Sequence, residues 1–204
     1  MSKIKRPKPP NELIGFLPAP EIFYWVKAVF FDENSNLYNS DHEHLHDLEM
    51  PELSFLWADS GFAKGGRFVL GQCEKVMFRA GGWQKQRQEQ QMIDWFGDIP
   101  NFLITLDANY CSQCSDVEFC ALVEHELYHI AHAKDAFGMP AYNKDTGKPK
   151  LTMQGHDVEE FVGVVRRYGM SEDVRKLVNA ANKNPEVSKL DIAHACGTCL
   201  KIVA

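Results

Sequence analysis

The chain lacks most of what would place it in a membrane, outside the cell or on nucleic acid. No apolar run approaches the roughly 20 residues that a membrane-spanning helix needs. The N-terminal stretch MSKIKRPKPPNE is basic but has no apolar segment of the kind a secretory signal carries. Cysteine is scarce, six in 204 residues, so the chain is not a disulfide-stapled scaffold. Positive charge is not in excess either: 22 basic residues face 28 acidic ones, a net charge of −6, and both halves share the acidic surplus equally. Neither half is therefore a basic platform for nucleic acid. Internal repeats are absent. These absences together lead to the expectation of a soluble, cytoplasmic protein.

What is present is enough for a packed core, with 45% hydrophobic and 11% aromatic residues. Residues 1–20 hold half of the prolines and four basic side chains, and read as an extended basic arm. Residues 21–204 read as one domain. Glu21–Phe31 is a dense apolar run, helix or buried strand, that periodicity does not decide. Leu53–Trp57 and Arg67–Phe78 read as strands joined by a glycine-containing turn, and Asn101–Leu106 as a short buried strand. Gln84–Phe96 predicts a helix stopped by Gly97. Ser115-Asp116-Val117-Glu118 matches a capping box, which opens a helix expected to run to about Asp135. After a loop over Ala136–Thr152, a further helix is expected from Asp157 to Gly169, followed by two shorter ones near 171–183 and 188–195.

The chemistry gathers on the capped helix. His125-Glu126-Leu127-Tyr128-His129 matches H-E-x-x-H in full. Histidines four apart share one helical face, near enough for both imidazoles to bind one zinc ion. Glu126 lies about 100° round the helix from His125, placed to hold a water rather than the metal. Zinc would lower the pKa of that water, and the carboxylate would take its proton as a carbonyl is attacked. His132 shares the face of His125, but seven residues separate their Cα atoms by about 10.5 Å along the axis, too far to join the same ion.

A catalytic zinc site needs a third protein ligand and an open fourth position. The candidates lie in Gly155-His156-Asp157-Val158-Glu159-Glu160-Phe161. His156 is the favoured ligand, at the mouth of the next helix, with Glu159 and Glu160 as alternatives three and four residues on. The acidic turn is equally what a helix N-terminus favours.

H-E-L-Y-H followed by G-H-D-V-E-E-F is similar to the zincin metallopeptidases. More narrowly, the chain resembles the putative phage metallopeptidase family, found in phages and prophages. The likeness is carried by Ala28–Asn39, His42–Leu45, Phe55–Trp57, Gly71–Glu74, Trp95–Ala108, Val123–His129, His156–Gly169 and Ala195–Leu200. The resemblance implies an α+β, zincin-like domain, a small and mostly antiparallel sheet packed on helices that carry the site. It also implies zinc as cofactor, peptide-bond hydrolysis as activity and a protein or peptide as substrate, in the host cytoplasm if the chain is phage-encoded. The motif, loop and third-ligand arrangement is similar to SprT-like proteases as well.

Other signals carry less. Cys111/Cys114 and Cys196/Cys199 are two C-x-x-C pairs that could together close a structural zinc site, while the Cys196–Cys199 turn could equally be a redox pair, a disulfide or packed free thiols. Asp41-His42-Glu43-His44-Leu45-His46 reads as a polar surface loop. Tyr142, Tyr168 and His132 offer donors for an oxyanion. Two rival classes fit the same chain. One is a non-catalytic zinc-binding interaction protein, against which Glu126 argues. The other is a DNA-associated accessory protein, for which only the arm residues Lys3, Lys5, Arg6 and Lys8 argue.

Overall fold

In the computed structural model, residues 5–64, 67–159, 161–188 and 191–192 are described. Apolar and β-branched residues build the centre of the sheet. The chain runs from β1 (Phe16–Pro18) into α1 (Pro20–Val26), which widens into a π-helical turn over Lys27–Phe31. The ambiguous apolar run is thus a helix. Next come β2 (Leu53–Ala58), the short hairpin of β3 (Phe62–Lys64) and β4 (Arg67–Val69), and β5 (Gly71–Lys75). Helix α2 (Gly82–Phe96) ends at Gly97, whose φ of 82° closes it in the left-handed conformation glycine favours. Strand β6 (Phe102–Asp107) follows, then α3 (Ala108–Gln113) and α4 (Asp116–Tyr128).

The main sheet has the order β1-β2-β6-β5. Its central pair, β2 and β6, is parallel, with Leu53 beside Phe102 and Trp57 beside Leu106. The outer strands pair antiparallel. The two strands expected to neighbour each other, β2 and β5, are therefore separated by β6, and the sheet is mixed. Both central strands are almost wholly buried, as the parallel pairing of an inner strand requires. Trp25, Trp57 and Phe119 meet here, with Phe119 5.2 Å from Trp25 and 6.4 Å from Trp57 between ring centroids. The buried indole N–H of Trp57 donates to Glu21 at 2.8 Å, so its polar atom is satisfied.

Helix α4 is held at both ends. At its start the Ser115 hydroxyl accepts from the Glu118 N–H, and the Glu118 carboxylate accepts from the Ser115 N–H. Within the N-terminal basic stretch, Arg6 turns inward. It is buried, pairs with Asp116 at 2.9 Å and stacks on Phe119, because this helix end offers carboxylate and aromatic partners together. Ser115→Ala should remove the reciprocal cap at a cost of about 1 kcal/mol, read as a melting point lower by about 2–4 °C.

The helix stops sooner than expected. Residues beyond His129 turn into β7 (Ile130–His132), which pairs with β8 (Leu151–Met153). Strand pairing there overrides helical propensity. The expected loop over Ala136–Thr152 is correspondingly extended, with bridges Lys134–Pro140 and Tyr142–Pro149. The helix expected at Asp157 begins only at Val162, as α5 (Val162–Tyr168), ahead of α6 (Glu172–Ala181). His156 accordingly sits on a connector without regular secondary structure rather than at a helix mouth. The final expected helix, near 188–195, lies largely outside the described residues. Asp41–His46 is no surface loop but part of a 3₁₀ turn with His42 fully buried. No helix among the described residues is long and apolar enough to cross a membrane.

Candidate metal centre

Each of the three histidines is brought in by a different piece of local structure. His125 lies in the last turn of α4, His129 caps that helix, and His156 follows β8 on the connector toward α5. Because β8 pairs with β7, the chain returns directly beside the helix end. The Nε2 atoms of His125 and His156 lie 3.1 Å apart. Ring centroids are 5.1 Å apart for His125 and His129, 5.0 Å for His125 and His156, and 4.8 Å for His129 and His156. One ligand atom from each lies within 4.8 Å of the others, the only such group of three among the described residues. Three imidazoles at these separations fit one transition-metal ion, since nitrogen donors bind zinc at about 2.0–2.1 Å.

His129 Nδ1 meets the Gln154 carbonyl at 2.8 Å, which makes Nδ1 the donor and leaves the Nε2 lone pair free. Gln154 is itself fixed: its N–H donates to the His129 carbonyl at 2.9 Å and its side-chain amide to the Tyr128 carbonyl at 2.6 Å. Burial, reinforced by the neighbouring His129 and His156, lowers the pKa of His125 and favours its neutral, metal-binding form. Tyr128 is pinned on the flank, donating to Asp41 at 2.8 Å and accepting from Asn39 at 2.9 Å. Asn39 also donates to Glu124 at 2.8 Å.

Glu126 reaches toward strand β5, with His129 near enough to act on its charge. It is 3% exposed, against strand β5. The backbone of Cys73 hydrogen-bonds its carboxylate, and burial raises its pKa above the ordinary value while the nearby His129 partly offsets the rise. Gly71 makes the room: a Cβ there would stand 2.6 Å from Glu126 Oε1 and 3.0 Å from Leu122 Cδ1. The three histidines open onto a cleft of about 970 Å³, also lined by Val158 and by Leu177 and Ala180 of α6.

The other sequence candidates separate from this group. Glu159 is exposed and does not join the histidines, and Glu160 lies outside the described residues. His132 is committed to the Ala141 carbonyl at 2.9 Å and stacks on His44, with Tyr142 against its edge. Neither these two nor Tyr168 lines the cleft. Cys111 and Cys114 lie at the far end of α4, while Cys196 and Cys199 are outside the described residues. Gln154, Gly71 and Cys73 were not singled out for the site by sequence reasoning. A lone glycine opening a strand signals a close approach of another group, and Gly71 carried that signal.

A family model described as putative phage metallopeptidase matches residues 23–182. The match spans the H-E-x-x-H segment and His156, and it stops short of the Ala195–Leu200 segment that also carried the resemblance. No curated protein and no solved structure matches the chain.

Proposed function

This chain belongs to the putative phage metallopeptidase family, and from that premise we propose that it is a zinc-dependent, zincin-type peptidase with Glu126 as its catalytic base. His125, His129 and His156 would hold the ion. The observation that supports this reading is His156 lying beside the H-E-x-x-H pair, three imidazoles that could hold one ion, with the buried Glu126 carboxylate close to His129. Bound zinc would supply Lewis-acid polarisation of the scissile carbonyl and a lowered pKa for water.

The chain's own residues do the rest. Glu126 takes the proton of the attacking water and afterwards delivers it to the leaving amine. Its raised pKa suits a group that must both accept and return a proton near neutrality. The Cys73 N–H and the gap at Gly71 fix where the carboxylate points. Gln154 fixes the tautomer of His129. The cleft formed by Val158, Leu177 and Ala180 would seat the substrate chain.

The test is cleavage of a peptide library by the purified chain, abolished by a chelator and restored by one equivalent of zinc. Zinc uptake without any cleavage would instead favour a binding protein. Gly71→Ala probes the carboxylate cradle separately. The added methyl should push Glu126 aside by about 1 Å, lowering kcat roughly 10²-fold while zinc stoichiometry stays at one.

A further inference from the structure

Cys111 and Cys114 have no part in the peptidase reading, yet they form a built site. They occupy the end and C-terminal cap of α3, both as free thiols. The Cys114 N–H still bonds the Tyr110 carbonyl at 2.9 Å, so the turn is helical up to that point. Helix geometry then sets their Cα atoms about 5 Å apart, within the roughly 4.4–6.8 Å that a disulfide spans. Cys111 is buried, whereas Cys114 is partly exposed. Over Cys114 lies the buried guanidinium of Arg6. Its Nη1 is 3.4 Å from Cys114 Sγ and its Nη2 donates to the Cys114 carbonyl at 2.8 Å. The sulfur also precedes the N-terminus of α4, where the helix dipole favours negative charge. Among the described residues, no further His, Cys, Asp or Glu completes a metal-binding group with the pair.

We propose that Cys111 and Cys114 are a redox-active dithiol, with Cys114 the attacking sulfur and Cys111 the resolving one, reacting with disulfides such as glutathione disulfide. The Cys114 thiolate attacks one sulfur of the glutathione disulfide, forming a mixed disulfide and releasing one glutathione thiolate. Cys111 passes its proton to that thiolate and attacks Cys114 Sγ. The intramolecular disulfide forms and a second glutathione thiolate leaves. Two electrons pass from the protein pair to the glutathione pair. The hydrogen bond with Cys111, joined by Arg6, pulls the Cys114 thiol below its ordinary range and favours its thiolate. The same bond and burial push Cys111 up, as befits a sulfur that reacts only second. Oxidation discharges the sulfur that Arg6 faces.

The full chain is equilibrated in glutathione buffers of graded oxidised-to-reduced ratio, quenched with acid, alkylated and mapped by mass spectrometry. The expected product is a Cys111–Cys114 disulfide. Cys111→Ser should arrest at glutathione on Cys114, and Cys114→Ser should take up none on Cys111. Alkylation of Cys114 should show a pH midpoint below that of an ordinary thiol in the native chain, and Arg6→Gln should move it upward and slow the reaction several-fold at pH 7. Glutathione on Cys196 or Cys199 with Cys114 untouched would overturn the proposal. So would thiols at 111 and 114 that stay unreactive until a chelator strips zinc, because those sulfurs would then be metal ligands.

Discussion

His156→Ala is expected to release the metal while leaving the fold intact. The ring is exposed and sits on a connector, so its removal deletes little packing. What it removes is one of the three proposed nitrogen donors, the one 3.1 Å from His125 Nε2. Losing a group that only orients a ligand already costs about 10–100-fold in metal affinity, and losing the ligand itself should cost more. Zinc titration by competition with a chromophoric chelator reads this directly, and a melt in metal-free buffer should match the parent's. Glu159→Ala serves as the control and should bind zinc as the parent does. Should Glu159→Ala or Glu160→Ala lose the ion while His156→Ala keeps it, the site is a two-histidine, one-glutamate site.

Glu126→Gln separates chemistry from binding. The amide fills nearly the same space against Gly71 and can still accept from the Cys73 N–H, but it cannot take a proton. Zinc affinity should stay near that of the parent. Peptide cleavage should fall by about 10²–10⁴-fold, the usual worth of a positioned general base. The activity of the parent should fall as pH drops through the raised Glu126 pKa, above the ordinary carboxylate range. Stability runs in the opposite sense. A carboxyl whose pKa rises on folding contributes stability fully below its unfolded pKa, and that contribution is lost as pH climbs through the folded value. Ionised Glu126 therefore opposes folding at neutral pH in the metal-free chain, and Glu126→Gln should melt no lower than the parent. A clear loss of stability would mean that the carboxylate is a structural anchor instead.

Local rules made the start of the site legible. The reciprocal Ser115–Glu118 cap and the H-E-x-x-H spacing follow from helix geometry alone, as does the stop at Gly97. Long-range contacts decided what local rules missed. His156 reads as a helix-mouth residue because acidic residues follow it, yet the chain there is tied to Tyr128 and His129 through Gln154, 26 and 25 residues away. That tie holds it beside the end of α4. The polar look of Asp41–His46 likewise hides a turn that packs His42 under Tyr128, with ring centroids 4.6 Å apart. Arg6 reads as part of a charged tail because its partner Asp116 lies 110 positions away in the chain, beyond any periodicity or composition argument. The parallel pairing of β2 with β6 is invisible for the same reason: strand identity is local, whereas strand order is not.

Anomalous diffraction at the zinc edge, from crystals of the zinc-loaded chain, tests the central claim most directly. One ion is predicted within about 2.0–2.1 Å of a ring nitrogen from each of His125, His129 and His156, with Glu126 outside its coordination sphere. An ion bound by Glu126, Glu159 or Glu160 in place of His156, or zinc held only by cysteine sulfurs, would contradict it.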